Sequence, residues 1–260
     1  MKKRYQIDQQ RAVQKFGKLA VEQNPNMQMI LPMADIVGLL QEGVVGIREG
    51  ATENTAVVSS LLSELVERGL DFSTPRLYIL DGGKALHAAV RKHAGEAAFI
   101  QRCQVHKKRN VVDHLPDEHK ADVRRKLQNA YAMADYAEAK RALDRLHREL
   151  MDLNPSAARS LEEGMEETLT VHKLRVPDQL RRTLCCTNVI ESAFSIVETV
   201  CRNVKRWHQG DQIERWVGSG LLVAERQFRK VIGHKQIPLL LSSMTNAASK
   251  QPIAKGAKVA

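Results

Sequence analysis

Aromatic side chains are scarce: Phe, Trp and Tyr make up 4% of this 260-residue chain, too few for a platform on which single-stranded bases stack. Cysteine is scarce too. Cys103, Cys185, Cys186 and Cys201, two of them adjacent, lack the spaced arrangement of a disulfide framework. No apolar run approaches the roughly 18 residues needed to span a bilayer, and the beginning, Met1-Lys-Lys-Arg-Tyr5, has no apolar signal core. These absences predict a cytoplasmic protein with reduced thiols and no membrane partner.

What the chain has is positive charge. Forty Lys and Arg against thirty Asp and Glu give a net charge of +10, which favours an acidic partner, nucleic acid first. The excess is uneven, because residues 181–260 hold 13 basic and 5 acidic side chains and so carry +8 of it. An apolar fraction of 43% supplies a core, and the length fits one large or two small domains.

Patterning predicts the order of elements. Ile7–Gln23 reads as a polar helix, the turn Asn24-Pro25-Asn26 ends it, and Met27–Leu40 reads as a second helix, so 1–43 is expected to be a helical segment. Val44–Ile47 reads as a short strand. Gly50-Ala-Thr-Glu-Asn54 supplies cap residues for a helix with the stripe Val57, Val58, Leu61, Leu62, Leu65 and Val66, and Gly69 closes it. Two apolar runs, Arg76–Leu80 and Ala98–Cys103, flank a helix at about Lys84–His93, which predicts parallel neighbouring strands in an α/β core over 44–110. Charges and Ala at helical spacing then predict an all-helical insertion over 111–186. Apolar-striped helices fill 187–246, and a basic tail from Ala247 is expected to be disordered.

The chemistry concentrates where the strands end. Asp81-Gly82-Gly83 follows the first strand, at the carboxyl edge where open α/β sheets bind ligands. Gln101-Arg-Cys-Gln-Val-His106-Lys-Lys-Arg109 ends the second. A carboxylate that holds a cation, beside bases that hold an anionic polymer, suits chemistry on a phosphodiester. Plainer readings compete. Asp81 also suits a turn before two glycines, Lys107-Lys108-Arg109 a solvated face, and Glu191 a solvated helix position, with Glu198 its rival on nearly the same face. Cys103-x-x-His106 has the spacing of half a zinc site, but Cys185-Cys186 makes a poor second half. The preferred reading buries Cys103 at a strand end and lets His106 orient its neighbours or meet phosphate.

Three stretches in this order, Asp81-Gly-Gly-Lys-Ala-Leu86, Gln101-Arg-Cys-Gln-Val-His106-Lys-Lys-Arg-Asn110 and Thr187-Asn-Val-Ile-Glu191-Ser192, resemble the Mutator-type transposases of bacterial insertion sequences. The likeness extends from about Gly46 to Ser243, including Val204-Lys-Arg-Trp207. It implies a ribonuclease-H-like sheet and a DDE-type enzyme that cleaves and joins DNA at the element's terminal inverted repeats. By motif position Asp81 matches the second metal-holding Asp and Glu191 the Glu, with Mg²⁺ or Mn²⁺ as cofactor. Arg102, His106, Lys107, Lys108, Arg109, Arg202, Lys205 and Arg206 are the expected DNA contacts, and a homo-oligomer is expected.

One part of the pattern is missing. The family's first Asp belongs to an opening β-hairpin, yet residues 1–43 contain no apolar strand followed by Asp. Met1–Gly43 resembles the family's far N-terminal helices and Gly46–Asn54 the segment after the hairpin, which implies an internal deletion near Glu42–Gly46. Asp35, the nearest Asp, sits in an expected amphipathic helix and reads as solvated. The expected fold is therefore a ribonuclease-H-like α/β sheet incomplete at its first strands. Two functions compete: an impaired transposase, and a catalytically dead remnant that binds DNA or a partner. A basic helical scaffold unrelated to nucleases would leave Asp81 and its strand unexplained.

Overall fold

The computed structural model describes residues 54–204 and 212–249, with three short strands at 26–28, 32–33 and 48–50. The described strands are β1 (Asn26–Gln28), β2 (Pro32–Met33), β3 (Arg48–Gly50), β4 (Arg76–Leu80) and β5 (Ala98–Arg102). β4 and β5 run parallel, Arg76 opposite Ala98 through Leu80 opposite Arg102. β2 lies antiparallel on the other side of β4, Pro32 opposite Tyr78 and Met33 opposite Leu77. β1 and β3 form a separate antiparallel pair.

Every residue of β4 is buried, as a continuous apolar run requires when both faces of a sheet are covered. Its side chains alternate between two cores. Tyr78 and Leu80, with Ile100 of β5, meet Val58, Leu61, Leu62 and Leu65 of α1 (Thr55–Glu67) and Leu86 and Val90 of α2 (Lys84–Ala94). Leu77 and Ile79 point the other way, into Val171, Leu174, Leu180, Leu184 and Leu240. Fully burying each such Leu contributes about 1.5–3 kcal/mol. Asn54 starts α1 by accepting a 2.9 Å bond from the Val57 N–H, and Gly69, at φ +99°, follows its end.

Beyond β5 the chain is helical throughout the described residues: α3 (Gln104–Asp113), α4 (Asp117–Ala132), α5 (Tyr136–Leu153) and α6 (Pro155–Glu162) enclose their own core around Val111, Leu127, Leu143, Leu150 and Leu161. Asp135 caps α5. Asn154 caps α6, with Pro155 at its first position. Two short turns, α7 (Met165–Thr168) and α8 (Thr170–Lys173), bring the chain back to the sheet, and α9 (Asp178–Leu184) covers its second face. α10 (Asn188–Cys201) and α11 (Gln212–Glu225) pack together through Ala193, Val197, Val217 and Leu221. α12 (Ile237–Ser249) completes the second core.

The expected helix over Met27–Leu40 is corrected: its described residues lie in β1 and β2. Pairing with β4 overrides local helical periodicity, as strand formation depends on cross-strand context, and Pro32 sits on the outermost strand, where a missing N–H is tolerated. The tail also starts later, because α12 continues past Ala247 to Ser249. The expected helix at Ile7–Gln23, the strand at Val44–Ile47, the junction near Glu42–Gly46 and Asp35 lie outside the described residues. No single described helix is long and apolar enough to cross a membrane.

Candidate active site

Asp81 stands in the turn directly after β4, exposed. One carboxylate oxygen accepts from the Gly83 N–H at 3.0 Å, which fixes the turn and opens α2. Gly82 sits at φ +112°, and a Cβ there would come within 2.7 Å of Arg102 Nε. Gly164 approaches the same guanidinium from the far side at φ +67°, where a Cβ would lie 2.6 Å from Arg102 Nη1. Arg102 is thus threaded between two glycines, donating to the Gly82 carbonyl and to Glu163 Oε1, both at 3.2 Å.

Two expected DNA contacts are engaged within the protein. The Arg102 side chain is 12% exposed and committed to Glu163. Lys107 is 1% exposed, its Nζ donating to the carbonyls of Ser160 at 2.6 Å and Glu163 at 2.5 Å, at the end of α6. Burial, aided by the Arg102 charge and opposed by Glu163, pulls the Lys107 pKa down to about 8. Gln101 and Gln104 complete the fastening, each donating to the Thr168 carbonyl, at 2.9 and 2.8 Å. Gln101 and Arg102 of β5 and Gln104 and Lys107 of α3 thus tie the helical insertion to the sheet edge. An open cleft of about 300 Å³ remains there, lined by Gly83, Lys84, His87, Arg102, Glu163 and Glu167.

Cys103 joins the two halves of the site. Its N–H donates to the Leu80 carbonyl at 2.7 Å, directly before Asp81. Its sulfur lies 3.2 Å from His106 Nδ1 and 3.4 Å from Thr187 Oγ1. Thr187 donates to Glu191 Oε1 at 2.8 Å, and His106 Nδ1 stands 3.7 Å from that oxygen. Glu191, 51% exposed, therefore belongs to the sheet edge that bears Asp81. Glu198 is exposed and takes no part in this network. All four cysteines are free thiols, and no group of three or more His, Cys, Asp or Glu among the described residues is placed to hold a metal. The zinc reading thus gains no support.

Of the remaining expected DNA contacts, His106 and Lys108 are half-buried, Arg109 and Arg202 are exposed, and Lys205 and Arg206 lie outside the described residues. Glu163 escaped the sequence reading, and Thr187 entered it only as the start of the third motif. Thr187 carried a signal, since a hydroxyl four residues before Glu191 shares its helical face.

A model of the transposase Mutator family matches residues 36–229. The chain belongs to that family. The match embraces Asp81, His106 and Glu191; it starts earlier and stops earlier than the 46–243 expected from motifs. Relatives of this Mutator-family chain include the transposase for insertion sequence element IST2 of Acidithiobacillus ferrooxidans, 32% identical over 165 residues, covering 62% of this chain and 54% of the relative. The transposase for ISRM5 of Rhizobium meliloti is 32% identical, covering 57% of this chain and 36% of the relative. The transposase for IS256 in transposon Tn4001 of Staphylococcus aureus is 28% identical, covering 72% and 47%. The chain spans about half the length of the curated relatives it matches.

Proposed function

We propose that this chain is the core of an insertion-sequence transposase of the DDE type, with Asp81 and Glu191 as two of its metal-holding carboxylates. The carrying observation is the link through Cys103, which joins Leu80, and hence Asp81, to Thr187 and Glu191 across the end of a parallel strand pair. Both carboxylates are hard oxygen donors on exposed turns of chain, and a Mg²⁺ or Mn²⁺ ion held by one or two carboxylates keeps water in its remaining positions. The donor set fits one such ion. When bound, it supplies activation of the attacking oxygen and charge stabilisation at the phosphodiester.

Asp81 and Glu191 would hold the ion, while Lys108, Arg109, Arg202, Lys205 and Arg206 hold the DNA backbone at the element's terminal inverted repeats. The Arg102–Glu163–Lys107 fastening keeps the Asp81 turn in place. A ribonuclease-H-like sheet and assembly as a homo-oligomer belong to the same reading. β4 and β5 are its central strands.

The chain is further proposed to be impaired. Two carboxylates do not clamp both the attacking and the leaving oxygen, and among the described residues no third joins them. An internal deletion near Glu42–Gly46 accounts for this, so the isolated chain binds DNA ends or a full-length copy without cutting. Incubated in Mg²⁺ or Mn²⁺ with a duplex ending in the terminal repeat, the purified chain is expected to produce no nick. Restoring the opening hairpin is expected to produce one, abolished by Asp81→Ala or Glu191→Ala. Nicking by the chain as it stands would contradict impairment; nicking that survives Glu191→Ala in the restored chain would remove Glu191 from the site.

A further inference from the structure

We propose that Thr187, held by Cys103 and His106, is the positioning residue that aims Glu191 at the metal; the inference rests on the reading of Glu191 as a ligand. The first observation is a role that Thr187 gives up. It occupies the N-cap of α10 at φ −89° and ψ 10°, yet its side chain makes no capping bond. A Thr in that place ordinarily accepts from a first-turn N–H, worth about 1 kcal/mol. Nor is this a capping box, which would put Glu three residues on; Glu191 is four residues on, on the same face as Thr187.

The second observation is where the hydroxyl goes instead. Thr187 has one proton to donate, and its nearest acceptor is the Glu191 carboxylate oxygen at 2.8 Å, the charged and therefore stronger partner. With the proton on Glu191, the Thr187 oxygen can accept from His106 Nδ1 at 3.4 Å and stays in contact with the Cys103 sulfur at the same distance. Cys103 is fully buried and its N–H is bonded to Leu80, so the relay is anchored in the sheet beside Asp81. Glu191, half exposed on the first turn of a helix, would otherwise sample several rotamers at a cost in side-chain entropy on each binding event. The relay fixes one. It also gives the Cys103-x-x-His106 spacing a purpose other than binding zinc: both side chains reach the same hydroxyl.

The test is Mn²⁺ binding by the full chain, read from the electron paramagnetic resonance signal of free Mn²⁺. Thr187→Val, nearly equal in volume but without the hydroxyl, is expected to raise the Mn²⁺ Kd about tenfold, as loss of a group that orients a metal ligand typically does. Thr187→Ser is expected to restore wild-type affinity. Glu191→Gln, measured in parallel, should weaken binding strongly. Unchanged binding in Glu191→Gln overturns the assignment of Glu191 itself. Weakened binding in Glu191→Gln with unchanged Kd in Thr187→Val, or no restoration by Ser, overturns the positioning role alone. Should Thr187→Val not fold, His106→Phe carries the same test, with a raised Kd expected and an unchanged Kd contradicting the relay.

Discussion

Lys107 shows how one side chain trades stability for architecture. Its ammonium is buried on two carbonyls at the end of α6, where a helix terminus welcomes positive charge, yet burial still lowers its pKa from 10.5 to about 8. Below pH 8 both folded and unfolded chains hold the proton, and the burial cost is fully present. Between about pH 8 and 10.5 the unfolded chain binds a proton that the folded one has released, so this residue makes stability rise with pH. The rise amounts to at most about 3 kcal/mol. Urea unfolding of wild type and Lys107→Met across that window is expected to show it in the wild type alone, titration of other groups cancelling in the difference. Parallel pH profiles would mean that Lys107 reaches water.

At the scale of elements, α10 and α11 meet at Gly220, where a Cβ would lie 3.1 Å from the Val197 Cα and 3.2 Å from both its methyl carbons. Gly→Ala in an exposed helix gains about 1 kcal/mol from propensity. Here the obstructing atom is backbone, so Gly220→Ala is expected to forfeit that gain, and Gly220→Leu to lose about 1–3 kcal/mol by overpacking, measured by thermal unfolding. A stabilised Gly220→Leu would show that the pair is loosely packed.

The elements also show what sequence can reveal. Arg76–Leu80 and Ala98–Arg102 were legible because each contains a short apolar run, Leu77–Leu80 and Ala98–Ile100, and their parallel pairing followed from the short helical crossover. The helices over 188–225 were legible from apolar stripes. β1 and β2, three and two residues long, were not: strands that short have no periodicity, and β2 exists through its pairing with a strand more than forty residues away. Asp81 and Glu191 were singled out through motif order. The internal bonds of Lys107 were not legible, because a basic run looks the same whether it faces phosphate or the carbonyls at a helix end. Glu163 is separated by some sixty positions from the residues it holds, beyond the reach of any local pattern.

At the scale of the molecule, the two-sided sheet carries the Asp81 turn, the helical insertion braces that turn through Arg102 and Glu163, and α10 returns Glu191 to the same edge through Thr187. Three distant segments thus converge on one end of β4 and β5. That convergence is the basis of the transposase reading, and it requires Asp81 and Glu191 to act on a single ion. The most direct test is a double-mutant cycle on Mn²⁺ affinity with Asp81→Asn, Glu191→Gln and both together. The account predicts that each single change removes most of the binding and that the double change costs little more, as expected for ligands of one ion. Additive losses, or Mn²⁺ affinity untouched by either change, would contradict a shared site.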